Sequence, residues 1–157
     1  MCIRDRYIDL LVFRGKSHKQ FVELASHCDC PVINGLTDYS HPCQALADLF
    51  TLKETHGELA GRKLAFVGDG NNVARSLAIA CGKLGVQFAI ATPKGYELDA
   101  EFLKDLADSG PTHEIIQTND AAEAAQDADA VYTDVWASMG QEKEKAARAK
   151  ALSLIHI

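Results

Sequence analysis

His41 and Gln44 stand either side of a proline placed where a helix begins, so an imidazole and a carboxamide share one first turn with unpaired backbone N–H groups. Such a turn suits an anionic or carbonyl-bearing ligand. The histidine can donate to a carbonyl oxygen on which negative charge develops, and the glutamine offers both donor and acceptor to a substrate amide. A histidine there can equally cap the helix or lie on the surface. Arg14 ends a short apolar run and carries the planar fork for bidentate contact with phosphate or carbonyl oxygens, the plainer alternative being a surface ion pair. Gly68-Asp69-Gly70-Asn71-Asn72 is a tight turn presenting two amides at a helix N-terminus, either as caps or as holders of a polar ligand. Asp134-Val135-Trp136-Ala137-Ser138-Met139-Gly140 puts a carboxylate and a hydroxyl on one loop. The carboxylate can hold an α-ammonium group, while Trp136 and Met139 read first as packing residues, with the Met139 backbone still able to touch a ligand.

Several chemistries are disfavoured. Among 157 residues, 16 basic against 22 acidic side chains leave a formal charge of -6, which argues against a phosphate-tracking surface and hence against nucleic-acid binding. The apolar run Leu10 to Phe13 is far short of the roughly 20 residues a membrane span requires, and nothing reads as a signal peptide. Five cysteines (Cys2, Cys28, Cys30, Cys43 and Cys81) form no CxxC pair, which fits reduced thiols in a cytoplasmic setting. A dinucleotide site is disfavoured because the third glycine of GxGxxG falls on Val73 and the next strand ends in Thr92-Pro93 rather than in an acid. No hydrolytic triad and no HxxxH ligand pair is present, so hydrolytic-triad and metalloenzyme readings find little support.

The elements that must position these groups alternate. Tyr7 to Phe13 reads as a strand, Ser17 to His27 as a helix with Ser17 as N-cap, Pro31 to Ile33 as a strand ended by Asn34-Gly35, and Pro42 to about Thr55 as a helix. Then come strand Lys63 to Val67, a helix with apolar positions Val73, Leu77, Ala80, Cys81 and Leu84 closed by Gly85, and strand Gln87 to Ala91. Helix Leu98 to Ala107, strand Glu114 to Gln117, a short helix near Ala121 to Ala125, strand Ala130 to Thr133 and a solvated helix over Glu142 to Lys150 complete the chain. Alternation of this kind predicts an α/β fold with parallel sheets. Gly57 to Gly61 reads as the boundary between two units, residues 1–56 and 57–150.

Four separated motifs resemble the ornithine carbamoyltransferases: Asn34-Gly35-Leu36-Thr37-Asp38 with His41-Pro42-Cys43-Gln44-Ala45-Leu46-Ala47-Asp48, then Phe66-Val67-Gly68-Asp69-Gly70-Asn71-Asn72, Ala91-Thr92-Pro93-Lys94-Gly95-Tyr96-Glu97, and Asp134-Val135-Trp136-Ala137-Ser138-Met139-Gly140-Gln141-Glu142. The resemblance implies two Rossmann-like parallel-sheet domains of the carbamoyltransferase type, the N-terminal one truncated and the C-terminal one nearly complete. It implies transfer of a carbamoyl group from carbamoyl phosphate to the side-chain amine of L-ornithine, giving L-citrulline and phosphate, with no cofactor. By the same resemblance Arg14, His41 and Gln44 would contact carbamoyl phosphate, and Asn72, Asp134, Ser138 and Met139 would contact ornithine. A homotrimer is implied for the full-length protein.

The family's Ser-x-Arg-Thr-Arg and His-Cys-Leu-Pro segments have no counterpart here, so the chain is expected to be a fragment without turnover of its own. Residues 1–5 and the tail from residue 151 or 152 onward do not resemble the family and are expected to be artefactual. The alternatives are a carbamoyltransferase for another amine or an acylated ornithine, and a non-catalytic amino-acid-binding module.

Overall fold

The computed structural model describes residues 7–109, 115–137 and 144–153. Its elements are β1 (Leu11–Arg14), α1 (His18–Ser26), β2 (Val32–Leu36), α2 (Pro42–His56), β3 (Lys63–Val67), α3 (Asn72–Leu84), β4 (Gln87–Ala91), α4 (Ala100–Asp108), β5 (Ile115–Thr118), α5 (Ala121–Ala125), β6 (Ala130–Tyr132) and α6 (Lys145–Ser153). β1 and β2 form a parallel pair, and β5-β4-β3-β6 form a four-stranded sheet, parallel throughout. The expected α/β fold with parallel sheets is what the chain adopts.

The central strands β3 and β4 are buried on both faces, and period-two alternation sorts their side chains. Leu64, Phe66, Phe88 and Ile90 join one core with Val73, Leu77 and Cys81 of α3, Phe102 and Leu106 of α4, and Ala45, Leu49 and Leu52 of α2. Val67, Ala89 and Ala91 face the other way, onto Ala124 of α5. α2, which follows β2, packs its buried face into the core of the larger sheet and so links the small β1–β2 pair to it.

The strand order places the ligand crevice. From β3 the chain steps outward to β4 and β5, then returns to pair β6 on the opposite side of β3. The carboxyl ends of β3 and β6 therefore flank a topological switch point, where open parallel sheets bind ligands. Gly68 to Asn72 leaves one of these ends and Asp134 the other.

Boundaries differ from the sequence expectation where tertiary contacts intervene. The first strand is Leu11–Arg14 rather than Tyr7 to Phe13, because pairing begins at Leu11 opposite Val32 and residues 7–10 lie outside the ladder. The second runs through Asn34-Gly35 to Leu36, since a Cβ at Gly35 would lie 3.1 Å from the Phe13 carbonyl oxygen and glycine lets the pairing continue. The fourth helix starts at Ala100, not Leu98, because the Asp99 carboxylate accepts from Phe102 N and caps it. Ser17 and Gly85 cap as expected, Gly85 in the left-handed region at φ 74°. The run expected to form a solvated helix is helical over Lys145–Ser153 and turns Arg148 and Leu152 inward, the arginine drawn to a buried carboxylate. Glu114 lies outside the described residues, as do residues 1–5, 138–143 and 154–157.

Gly70 is a close-approach glycine. Its N–H donates to the Tyr96 carbonyl at 2.6 Å, and a Cβ there would sit 2.6 Å from the Glu97 carbonyl carbon and the Leu98 nitrogen. Backbone cannot yield as a side chain would, so Gly70→Ala is expected to destabilise the fold by about 1–3 kcal/mol. A lowered urea midpoint with unchanged slope would show it, and an unchanged midpoint would refute it.

Candidate active site

His41 occupies the N-cap of α2, yet its side chain makes no capping bond. The helix start is held instead by Pro42, whose fixed φ suits the first helical position, and by the His41 backbone N–H, which donates to Ser76 Oγ at 2.8 Å. The imidazole is left half-buried, with Nδ1 buried and unpartnered among the described residues. Burial first, then the positive charge of Arg14, holds its pKa below the ordinary 6.5, against smaller upward effects of Asp134 and Asp48. Arg14, at the carboxyl end of β1, forms no ion pair among the described residues, so the surface-pair alternative finds no support. Gln44, one helical turn into α2, donates from Nε2 to Asp48 Oδ1 at 2.9 Å.

Opposite this group stands the switch point of the larger sheet. Asn71, not Asn72, caps α3: its Oδ1 accepts from the N–H groups of Val73 and Ala74, and its Nδ2 donates to Asp134 Oδ2 at 2.9 Å. Val135 N–H donates to the other Asp134 oxygen at 2.7 Å. Each oxygen thus has one donor and keeps lone-pair capacity for a cation. Asn72, at the first helical position, donates from Nδ2 to the Thr37 carbonyl at 2.7 Å and so bridges to the loop carrying His41. The structure thus places Arg14, His41 with Gln44, Asn72 and Asp134 beyond or at the carboxyl ends of β1, β2, β3 and β6 respectively. Ser138 and Met139 lie outside the described residues.

Three contributors escaped sequence reasoning. Asp48, which orients Gln44, has a readable signal, since it stands four residues on and shares a helix face. Tyr132, facing Asp48 and Asp134, has its hydroxyl pushed up to about 12 by burial first and then by both carboxylates, so it stays a neutral phenol. Arg148 donates from Nη2 to buried Asp69 and from Nε to the Trp136 carbonyl at 2.7 Å, with its guanidinium 5.2 Å from the centre of the Tyr96 ring. Its only signal is being the one arginine in a lysine and alanine run. Burial raises the Asp69 pKa, and Arg148 offsets part of that rise.

The depressed His41 pKa has a testable cause. Removing the charge with Arg14→Leu is expected to raise it toward 6.5, read by NMR titration of the imidazole; a fall or no movement would refute the repulsion by Arg14. The linkage sign follows. The unfolded chain takes up this proton near 6.5 and the folded chain only at lower pH, so His41 subtracts stability as pH falls below 6.5.

Comparison with known proteins adds two family matches. Residues 2–54 match the aspartate/ornithine carbamoyltransferase carbamoyl-P binding domain, and residues 60–157 match the aspartate/ornithine carbamoyltransferase Asp/Orn binding domain. Among curated relatives, the ornithine carbamoyltransferase of Anoxybacillus flavithermus is 51% identical over 146 residues, 90% of this chain and 46% of the relative. That of Pyrococcus abyssi is 49% identical over 152 residues, 94% of this chain and 47% of the relative. Among solved structures, ornithine carbamoyltransferase from Pyrococcus furiosus matches with TM-score 0.84 and 48% identity, over 96% of this chain and 49% of that one. Anabolic ornithine carbamoyltransferase from Campylobacter jejuni matches with TM-score 0.88 and 34% identity, over 96% and 51%. The chain spans about half the length of the relatives it matches.

Proposed function

The chain belongs to the aspartate/ornithine carbamoyltransferase family, and from that premise we propose that the protein carrying it transfers the carbamoyl group of carbamoyl phosphate to the side-chain amine of L-ornithine, giving L-citrulline and phosphate. The observation that carries this reading is the meeting of two unlike half-sites at one crevice. Arg14, His41 and Gln44 present donors suited to a carbamoyl phosphate, and Asp134 with Asn72 presents an acceptor set suited to an amino acid. The curated relatives in both comparisons are named for ornithine.

In this reading the neutral amine of ornithine attacks the carbamoyl carbon. The imidazole of His41 and the guanidinium of Arg14 stabilise the oxyanion of the tetrahedral intermediate, and Gln44 orients the carbamoyl amide. The bond from carbon to the phosphate oxygen then breaks, and the proton lost by the amine ends on the departing phosphate. Asp134 holds the α-ammonium group, and Asn71 fixes that carboxylate's orientation. Ser138 and Met139 complete the ornithine contacts, residues 57–150 form the ornithine domain, and residues 1–56 belong to the carbamoyl phosphate domain. Catalysis of this kind rests on positioning and electrostatics, with no side chain bonded to substrate. A cytoplasmic homotrimer is the proposed assembly.

Citrulline formation should be measured side by side on this chain and on the complete reading frame that contains it. Activity in the longer protein supports the proposal. Activity only with another amine, or with none, overturns it.

A further inference from the structure

α3 presents Asn72, Arg75 and Ser76 at positions i, i+3 and i+4, so these three side chains form one stripe on the helix. Alternate residues of the loop between β2 and α2 dock on that stripe. The Thr37 carbonyl accepts from Asn72, the Tyr39 ring lies 5.1 Å from the Arg75 guanidinium carbon, and the His41 N–H donates to Ser76 Oγ. Ser76 is buried, and its hydroxyl donates onward to the Asn72 carbonyl at 2.8 Å. One oxygen atom therefore ties the backbone of His41 to the backbone of Asn72, residues assigned above to the two different substrates.

The bond to Ser76 has a second consequence, for Gln44. Gln44 is the third helical residue after the cap at His41, and a glutamine at that position commonly turns back to accept from the cap residue's own N–H, closing a capping box. Here that N–H is already taken by Ser76, and Gln44 points its amide along the helix to Asp48 instead. We propose that Ser76 is a positioning residue: by occupying the His41 N–H it keeps Gln44 out of a capping box and holds His41 and Gln44 in the pose that addresses carbamoyl phosphate, in register with the ornithine half-site on α3. Ser76 touches no substrate in this scheme. Its effect passes through His41, Gln44 and Asn72, and it rests on the carbamoyl transfer reading.

The test is steady-state kinetics of Ser76→Ala, Ser76→Thr and Ser76→Cys in the complete reading frame, each checked for a wild-type thermal melt. Without the hydroxyl, Gln44 Oε1 is free to close on the His41 N–H, and misplacement of this kind lowers kcat far more than substrate binding. Ser76→Ala is expected to lower kcat by about tenfold or more, with both KM values moving by less than about threefold, and Ser76→Thr, which keeps the oxygen, to restore most of the loss. Ser76→Cys keeps the volume with a weak donor and acceptor, so it should fall between them and decides the matter if alanine does not fold. Wild-type kcat in Ser76→Ala overturns the proposal, as does a rise in KM alone or an equal loss in the alanine and threonine variants. No citrulline from the wild-type protein counts against the carbamoyl transfer reading instead.

Discussion

Arg148→Met is expected to destabilise the fold by about 3–5 kcal/mol at neutral pH, the magnitude typical when one partner of a buried ion pair is removed. Asp69 and Arg148 are both nearly excluded from solvent, at 8% and 7% exposure, and the arginine also holds the Trp136 carbonyl and lies against the Tyr96 ring. Methionine fills much of the volume but leaves Asp69 buried without its counter-charge. The pH dependence separates this cause from lost packing. Burial already raises the Asp69 pKa above 3.8, and the hydrogen bond and positive charge of Arg148 chiefly oppose that rise, so the variant's value rises further. A raised folded-state pKa means stability that is present below the unfolded value and lost as pH climbs through the folded one. The deficit relative to wild type should therefore be largest near neutrality and shrink as pH falls toward the carboxylate range. Urea denaturation at several pH values tests it, and a deficit independent of pH would assign the loss to packing instead. Asp69→Asn combined with Arg148→Met should recover part of the loss at neutral pH, since no charge then stays buried.

On the proposed carbamoyl transfer, His41→Ala in the complete reading frame is expected to lower kcat for citrulline formation by about 10²–10³-fold, the cost of removing one donor aimed at a developing oxyanion. Stability should move the opposite way or hardly at all. The imidazole is half-buried, its Nδ1 has no partner among the described residues, and the helix start it occupies is secured by its backbone and by Pro42. A side chain that leaves a buried polar atom unsatisfied contributes little to folding, and its removal relieves that penalty. Loss of turnover without a lowered melting temperature is therefore the signature, whereas parallel losses would make His41 a structural residue. Asp134→Asn should differ in kind, raising KM for ornithine by about 10–100-fold through loss of one charge-assisted contact to the α-ammonium group. The two variants together distinguish the half-sites.

How much of this was legible in the sequence depends on distance along the chain. The alternation of strands and helices, the caps at Ser17 and Gly85, the proline that starts α2 and the placement of Arg14 at a strand end and of Asn72 and Asp134 beyond strand ends all follow from local rules of periodicity and backbone preference. Four motifs in order were enough for the family resemblance. The missed features are those in which a polar atom had several partners to choose from. Two adjacent asparagines have the same capping chemistry. Which one caps was settled by Asp134, 63 residues away, drawing Asn71, and by Thr37, 35 residues away, drawing Asn72. His41 and Gln44 could have closed a local capping box, but Ser76 competes for the N–H across 35 residues. Arg148 looked solvated because lysines and alanines surround it, and only the fold shows Asp69 waiting 79 residues upstream. The sequence by itself determined the elements, the residue types at their carboxyl ends and the family. The tertiary structure alone decided the partners, because a hydrogen bond between distant residues depends on strand order and helix docking, neither of which local pattern encodes.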